Sequence, residues 1–137
     1  MKIVVDTYAW IELFIGSEKG RIVKEKLGSA EEVYTPDIVL AELARKYARE
    51  GIELSVVEER LSKISEISRI IPIDKGIAMK AAEVDRELKD KAKKACLREP
   101  SLVDAIVLAT ARALNANLIT GDQHFKEESE TIWIGGS

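Results

Sequence analysis

Ser101–Asp122, SLVDAIVLATARALNANLITGD, is the stretch on which the fold turns. Leu102, Val103, Ile106, Val107, Leu108, Ala109, Ala111 and Leu114 make its first part apolar almost all round. A helix of that kind is buried. Asn117–Thr120, NLIT, is a short apolar run ended by Gly121-Asp122, which reads as a strand and a turn. The same alternation extends outward in both directions. Upstream lie a strand over 2–6, a helix over 7–15 with Trp10 and Phe14 four apart, and a helix over 18–28 ended near Gly28. A strand at 32–35 then leads into the helix DIVLAELARKYARE, stopped by Gly51. Residues 54–67 place Leu54, Val57, Leu61 and Ile64 on one helical face. A strand over 69–73 and a long charged helix over 75–95 follow. Downstream of the quoted stretch, DQHF predicts a turn or short helix and TIWI a last strand. Strands alternating with helices predict parallel pairing and a three-layer α/β/α sandwich around a five-stranded sheet. With no repeat or linker, residues 1–137 are expected to form one domain.

Composition narrows the function classes. Hydrophobic residues make up 46% of the chain and charged residues 33%, which fits a folded domain and not a disordered chain. No apolar run approaches membrane-spanning length, and the start MKIVVD does not suit a signal peptide, so a cytoplasmic location is expected. The single cysteine, Cys96, has no internal disulfide partner and no neighbouring ligand for zinc; a small residue at a helix end is its expected role. A net charge of −3 argues against a protein that coats DNA. The few side-chain amides, Asn115, Asn117 and Gln123, beside abundant Glu, Lys and Arg suggest a heat-adapted composition.

Four carboxylates carry the chemistry. Asp6 closes KIVVD at the end of the first predicted strand, and Asp122 closes LITGD two residues after the NLIT strand. Glu42 and Asp104 sit on predicted helices, in VLAEL and SLVDA. In an open α/β sheet the strand C-termini and the helices after them converge on one crevice, so these acids can meet. Four carboxylates at mutual separations near ~6 Å would repel by roughly 3 kcal/mol per pair at an effective dielectric of ~20. Protons or divalent cations must then occupy the cluster. Oxygen ligands suit magnesium or manganese, whose usual enzymatic work is on phosphate esters. Each acid also has an ordinary alternative. Asp6 suits a helix N-cap and Asp122 a turn. Asp104 has Ser101 three residues earlier, a capping-box spacing, although Val107 and Leu108 set it in an apolar stripe. Glu42 lies at the edge of its helix's apolar face with Lys46 at i+4, the spacing of a solvated ion pair.

DTYAWIEL, the acid in VLAEL, SLVDAIVLATA and LITGDQHF together resemble the PIN-domain ribonucleases, especially the VapC-type toxins of prokaryotic toxin–antitoxin pairs. The resemblance spans the chain in order and is most specific in its last two motifs. It implies a PIN-like fold and a site in which Asp6, Glu42, Asp104 and Asp122 bind one or two Mg2+ or Mn2+ ions and catalyse endonucleolytic cleavage of RNA. Thr120 matches a hydroxyl that supports such a site, and Thr7 is a second. A cognate antitoxin and a homodimer are the implied partners, with Tyr8, Trp10, Ile11 and Phe14 as an apolar face for either, although at least two of these four are expected in the core. Phe125 is expected to pack, and His124, the one histidine, to take a surface or capping role without catalysis.

Competing mechanisms lack their residues. No Ser–His–Asp set, catalytic histidine pair, GxxxxGK or GxGxxG sequence is present. Haloacid-dehalogenase phosphatases need a second Asp, and proofreading exonucleases a Glu, at the position of Tyr8. An RNase H-like fold would begin with consecutive antiparallel strands. The alternative of another class is a PIN-fold RNA- or protein-binding module that acts through a partner with little catalysis. For an RNA path, Lys46 and Arg49 share a side of their helix with Glu42 and suit phosphate contacts. Lys89, Lys91, Lys93, Lys94 and Arg98 form a second basic run before the Asp104 helix.

Overall fold

The computed structural model describes residues 1–136. Its strands are β1 (Lys2–Val5), β2 (Glu32–Pro36), β3 (Arg69–Ile71), β4 (Asn117–Thr120) and β5 (Thr131–Trp133). The helices are α1 (Thr7–Ile15), α2 (Glu18–Ser29), α3 (Asp37–Arg49), α4 (Leu54–Ile67), α5 (Lys75–Lys94) and α6 (Leu102–Ala113), with a 3-10 turn at Gln123–Phe125. All strand pairs are parallel, in the order β3-β2-β1-β4-β5. Ile3, Val4 and Val5 of β1 and Leu118, Ile119 and Thr120 of β4 are buried without a break. Since neighbouring strand residues face opposite sides, both faces of the sheet are covered, and the structure is the sandwich expected of a parallel sheet. The chain leaves β1 towards β2 and β3, then returns to lay β4 on the other side of β1. That reversal opens a crevice at the carboxyl ends of β1 and β4.

Local chemistry sets the element ends. Asp6 caps α1 by accepting the Ala9 N–H at 2.9 Å, and Gly16 ends it in the left-handed region at φ 75°. Ser17 caps α2 through the Gly20 N–H, and Ser101 with Asp104 forms a complete capping box on α6. Several boundaries differ from the sequence expectation. β3 stops at Ile71 because Pro72 has no N–H to extend the ladder. α2 runs past Gly28 to Ser29, and α6 spans a shorter stretch than 101–116, ended by Asn115 in the left-handed region at φ 53°. Trp10 is fully buried, stacks on Phe14 with ring centroids 5.9 Å apart, and donates its indole N–H to the Thr35 hydroxyl. Tyr8, Ile11 and Phe14 are only half-buried against the core.

One polar network lies outside anything the periodicity foretells. Glu128 is buried and receives Lys91 of α5 and Arg112 of α6, each at 2.9 Å, while Arg112 also reaches Glu87 and Glu130. Among the described residues, no helix is long and apolar enough to cross a membrane.

The crossing of α1 and α2 is close enough to test. A Cβ on Gly20 would stand 2.0 Å from the Glu12 carbonyl oxygen, whereas one on Gly28 would meet nothing within 4 Å. Gly20→Ala must push two helix backbones apart, and a loss of ~2–3 kcal/mol is expected. Gly28→Ala, in the same helix, should be neutral or gain up to ~1 kcal/mol. Thermal melts of the two variants check the pair; equal melting temperatures would contradict the close crossing.

Candidate active site

The register of β1 on β4 brings the first two acids together. Val5 pairs with Ile119, so Asp6, one residue past β1, stands beside Thr120, the last residue of β4. The Thr120 hydroxyl donates to Asp6 Oδ2 and accepts the Asp122 N–H at 3.0 Å. One threonine thus orients both acids. Asp6 is only 5% exposed. Burial pushes its carboxyl up from 3.8 to about 7; the Thr120 and Ala9 hydrogen bonds oppose the shift, and the charges of Asp122 and Glu42 add to it.

Glu42 joins from α3. Its carboxylate accepts the Thr7 hydroxyl, a bond across 35 residues that ties the start of α1 to the middle of α3. The ion pair with Lys46 is not formed; Lys46 binds Glu50 at 3.1 Å instead. Asp104 joins from the first turn of α6. Its Oδ2 accepts the Ser101 N–H at 2.9 Å, and its side chain is 18% exposed. Burial raises its pKa, the Ser101 bond counters that, the Asp122 charge raises it further and His124 lowers it. The capping box and the half-burial therefore coexist in one residue. All four acids line one cavity of about 410 Å³, together with Thr7, Tyr8, Arg45, Lys46 and Arg49.

The expectation of a surface or capping role for His124 does not hold. Its side chain is 9% exposed, with Nδ1 3.0 Å from Asp122 Oδ1 and 3.9 Å from Asp104 Oδ2. Among the described residues, Asp104, Asp122 and His124 form a group in which each offers a ligand atom within 4.8 Å of the others; Asp6 and Glu42 stand outside that group. The Gln123–Phe125 turn after Asp122 causes this: fully buried Phe125 anchors the turn and swings the ring inward. The spacing of two residues from Asp122 was the only hint in the sequence.

Arg45 was also missed, although it stands three residues after Glu42 and so on the same face. Arg45 and Arg49 make no ion pair among the described residues, whereas Lys46 is held by Glu50. The second basic run does not reach the acids. Lys89 pairs with Asp85 and Lys91 with Glu128, and none of the five lines the acidic cavity. Four carboxylates that raise one another's charge cost, with one imidazole among them, match the donor chemistry of a divalent cation.

The sequence profile of the PIN domain matches residues 3–129. The chain belongs to the PIN-domain family. Ribonuclease VapC3 of Pyrobaculum aerophilum is 26% identical to this PIN domain over 131 residues, covering 93% of this chain and 95% of its own. Among solved structures, a toxin-antitoxin complex from Klebsiella pneumoniae has a chain that superposes with a TM-score of 0.73 at 23% identity, over 98% of this chain and 99% of that one. VapBC2 from Rickettsia felis, bound to a DNA fragment from their promoter, gives 0.70 at 19% identity, over 97% of each chain. These two share the fold.

The raised pKa of Asp6 has a measurable sign. A carboxyl whose folded pKa lies above its unfolded value favours the fold when protonated. That contribution is complete below the ordinary value of 3.8 and is lost as pH rises through about 7. In chelator, Asp6 should thus cost the fold on the order of 4 kcal/mol by neutral pH. The melting temperature of Asp6→Asn relative to wild type is expected to climb between roughly pH 4 and 7. A difference that stays flat over that range would show Asp6 to be solvated.

Proposed function

We propose that this PIN domain is an endoribonuclease that depends on a divalent cation, Mg2+ or Mn2+, and that it is the toxin of a toxin–antitoxin pair. The observation that carries the reading is the convergence of Asp6, Glu42, Asp104 and Asp122, from four separate elements, on one cavity. Its kinship with a protein named as a ribonuclease supports the substrate class. One or two ions held by the four acids would supply a water ionised near neutral pH and neutralise charge on the leaving oxygen.

The chain's own residues do the rest. Thr120 and the Ala9 N–H hold both oxygens of Asp6, so its orientation is settled before any ligand arrives. Thr7 holds one oxygen of Glu42. Arg45, Lys46 and Arg49 form the cationic wall of the cavity on α3 and neutralise phosphates of an RNA strand entering it. Lys46 contributes least, because Glu50 already satisfies its charge. With the acid set complete, a purely binding role is the poorer reading. The resemblance to toxin–antitoxin structures supports a cognate antitoxin as partner; a homodimer and work on RNA in the cytoplasm complete the proposed reading.

Asp104→Asn tests the acids. Asn can still accept the Ser101 N–H, so the cap survives while a charge is lost. Cleavage of a mixed RNA panel with manganese or magnesium is expected to fall at least ~100-fold, with an unchanged circular-dichroism spectrum and a wild type silenced by chelator. Wild-type-like cutting by this variant would overturn the assignment.

The wall is tested by affinity. In the double variant Arg45→Ala, Arg49→Ala, RNA binding should weaken and the slope of log K against log salt should shrink by roughly 1–2. Lys46→Ala alone should change the slope less. An unchanged slope in the double variant would place the RNA elsewhere.

A further inference from the structure

His124 is nine-tenths buried and makes two contacts of different kinds. Its Nε2 lies 2.6 Å from the Arg98 carbonyl oxygen. A carbonyl only accepts, so Nε2 carries the proton and donates. In the neutral ring Nδ1 is then a bare lone pair. What faces it is Asp122 Oδ1 at 3.0 Å and Asp104 Oδ2 at 3.9 Å, two more acceptors. Three electron-rich atoms thus point into one space: Asp104 Oδ2 accepts the Ser101 N–H and Asp122 Oδ1 the His124 N–H, each at 2.9 Å, which leaves a further lone pair on both oxygens, and Nδ1 faces no donor of its own. A proton on Nδ1 would answer the Asp122 contact alone, whereas a metal ion would engage all three atoms at once.

The spacing suits a metal ion. Ligands on adjacent corners of an octahedron with bonds of ~2.1–2.2 Å lie roughly 3.0 Å apart, and opposite corners roughly 4.3 Å. The observed 3.0 Å is an adjacent edge, and 3.9 Å falls between the two. The far side of the ring fits as well. Metal-bound histidines regularly donate their other N–H to a carbonyl, which selects the tautomer and aims the lone pair. Here Arg98 does so from the loop between α5 and α6, immediately before the Ser101–Asp104 capping box. The same few residues hold Asp104 and the ring in place.

We propose that His124 binds the metal directly through Nδ1, making the Asp104–Asp122 side of the cavity a mixed nitrogen–oxygen site that prefers manganese and later transition ions over magnesium. Oxygen-only sites accept magnesium readily, whereas an imidazole ligand favours transition ions. His124 is not placed to move a proton to or from RNA, since its ring is buried and Nε2 is committed to Arg98. The proposal rests on the acids being a cation site, but not on RNA being the substrate.

The chain's single histidine makes the test direct. Tag-free, full-length protein, stripped with chelator and dialysed, is loaded with Mn2+ and measured by pulsed electron paramagnetic resonance, once unlabelled and once with 15N-histidine. A coupling to a directly bound nitrogen that changes with the label is expected in wild type and should vanish in His124→Ala. Titration of the same proteins should show Mn2+ binding weakened at least ~10-fold by His124→Ala, and Mg2+ binding weakened far less. Bound Mn2+ without a label-sensitive coupling, or no Mn2+ bound at all, would overturn the proposal. So would wild-type Mn2+ affinity in the variant. Should the variant fail to fold, the labelled wild-type spectrum decides alone. RNA cleavage measured in parallel separates the two readings: cutting without the coupling removes the histidine ligand and leaves the nuclease, while the coupling without cutting does the reverse.

Discussion

A carboxylate kept from water at the end of the central strand constrains the rest of the site. Asp6 has almost no contact with solvent, and its two oxygens are met by one backbone N–H from α1 and one hydroxyl from β4. Desolvating an ionised acid is costly, and two hydrogen bonds offset part of that cost. The second bond requires that Thr120 end β4 beside Asp6. A slip of one residue between β1 and β4 would turn the threonine to the other face and leave the acid unsupported. The register of the sheet and the electrostatics of the cavity are therefore a single requirement.

The other acids are held by the same economy of parts. Asp6 caps α1, Asp104 is the third residue of the α6 capping box, and Asp122 caps the 3-10 turn. Helix N-termini carry partial positive charge and free N–H groups, so three of the four negative charges sit where the backbone tolerates them best. Capping and site formation do not compete here; capping is how the acids are aimed. Glu42 lies mid-helix with no such support, and Thr7 supplies it from across the cavity. The cationic wall of α3 then gives the cavity an acidic floor and a basic side.

Segment 121–130 acts as a brace. Fully buried Phe125 and buried Glu128 pin it to α5 and α6, with Lys91 and Arg112 closing on the Glu128 carboxylate. Such a buried, paired acid adds little net stability, since its desolvation cancels much of the attraction. What it places is the turn that carries Asp122 and His124, three to six residues away in the chain.

Element order and strand parallelism were legible in the sequence, because they follow from local periodicity and turn residues; the four acids were singled out as a set by the family resemblance, since each taken alone also suited a cap, a turn or a solvated ion pair. Some boundaries shifted because one residue ruled, as Pro72 does for β3. Partners were not legible. Glu42 had Lys46 one turn away, yet its hydrogen bond goes to Thr7; His124 read as a surface residue, yet its ring is buried; Arg45 shares a face with Glu42 that no pattern marked as lining a cavity. The reason is physical. Periodicity reports which side of an element is apolar, a property of neighbours within a turn or two. The bond from Thr120 to Asp6 spans 114 residues and that from His124 to Arg98 spans 26. By itself the sequence determined which charges had to be accommodated; only the packed sheet, through its register and its order of strands, decided what stands beside each of them.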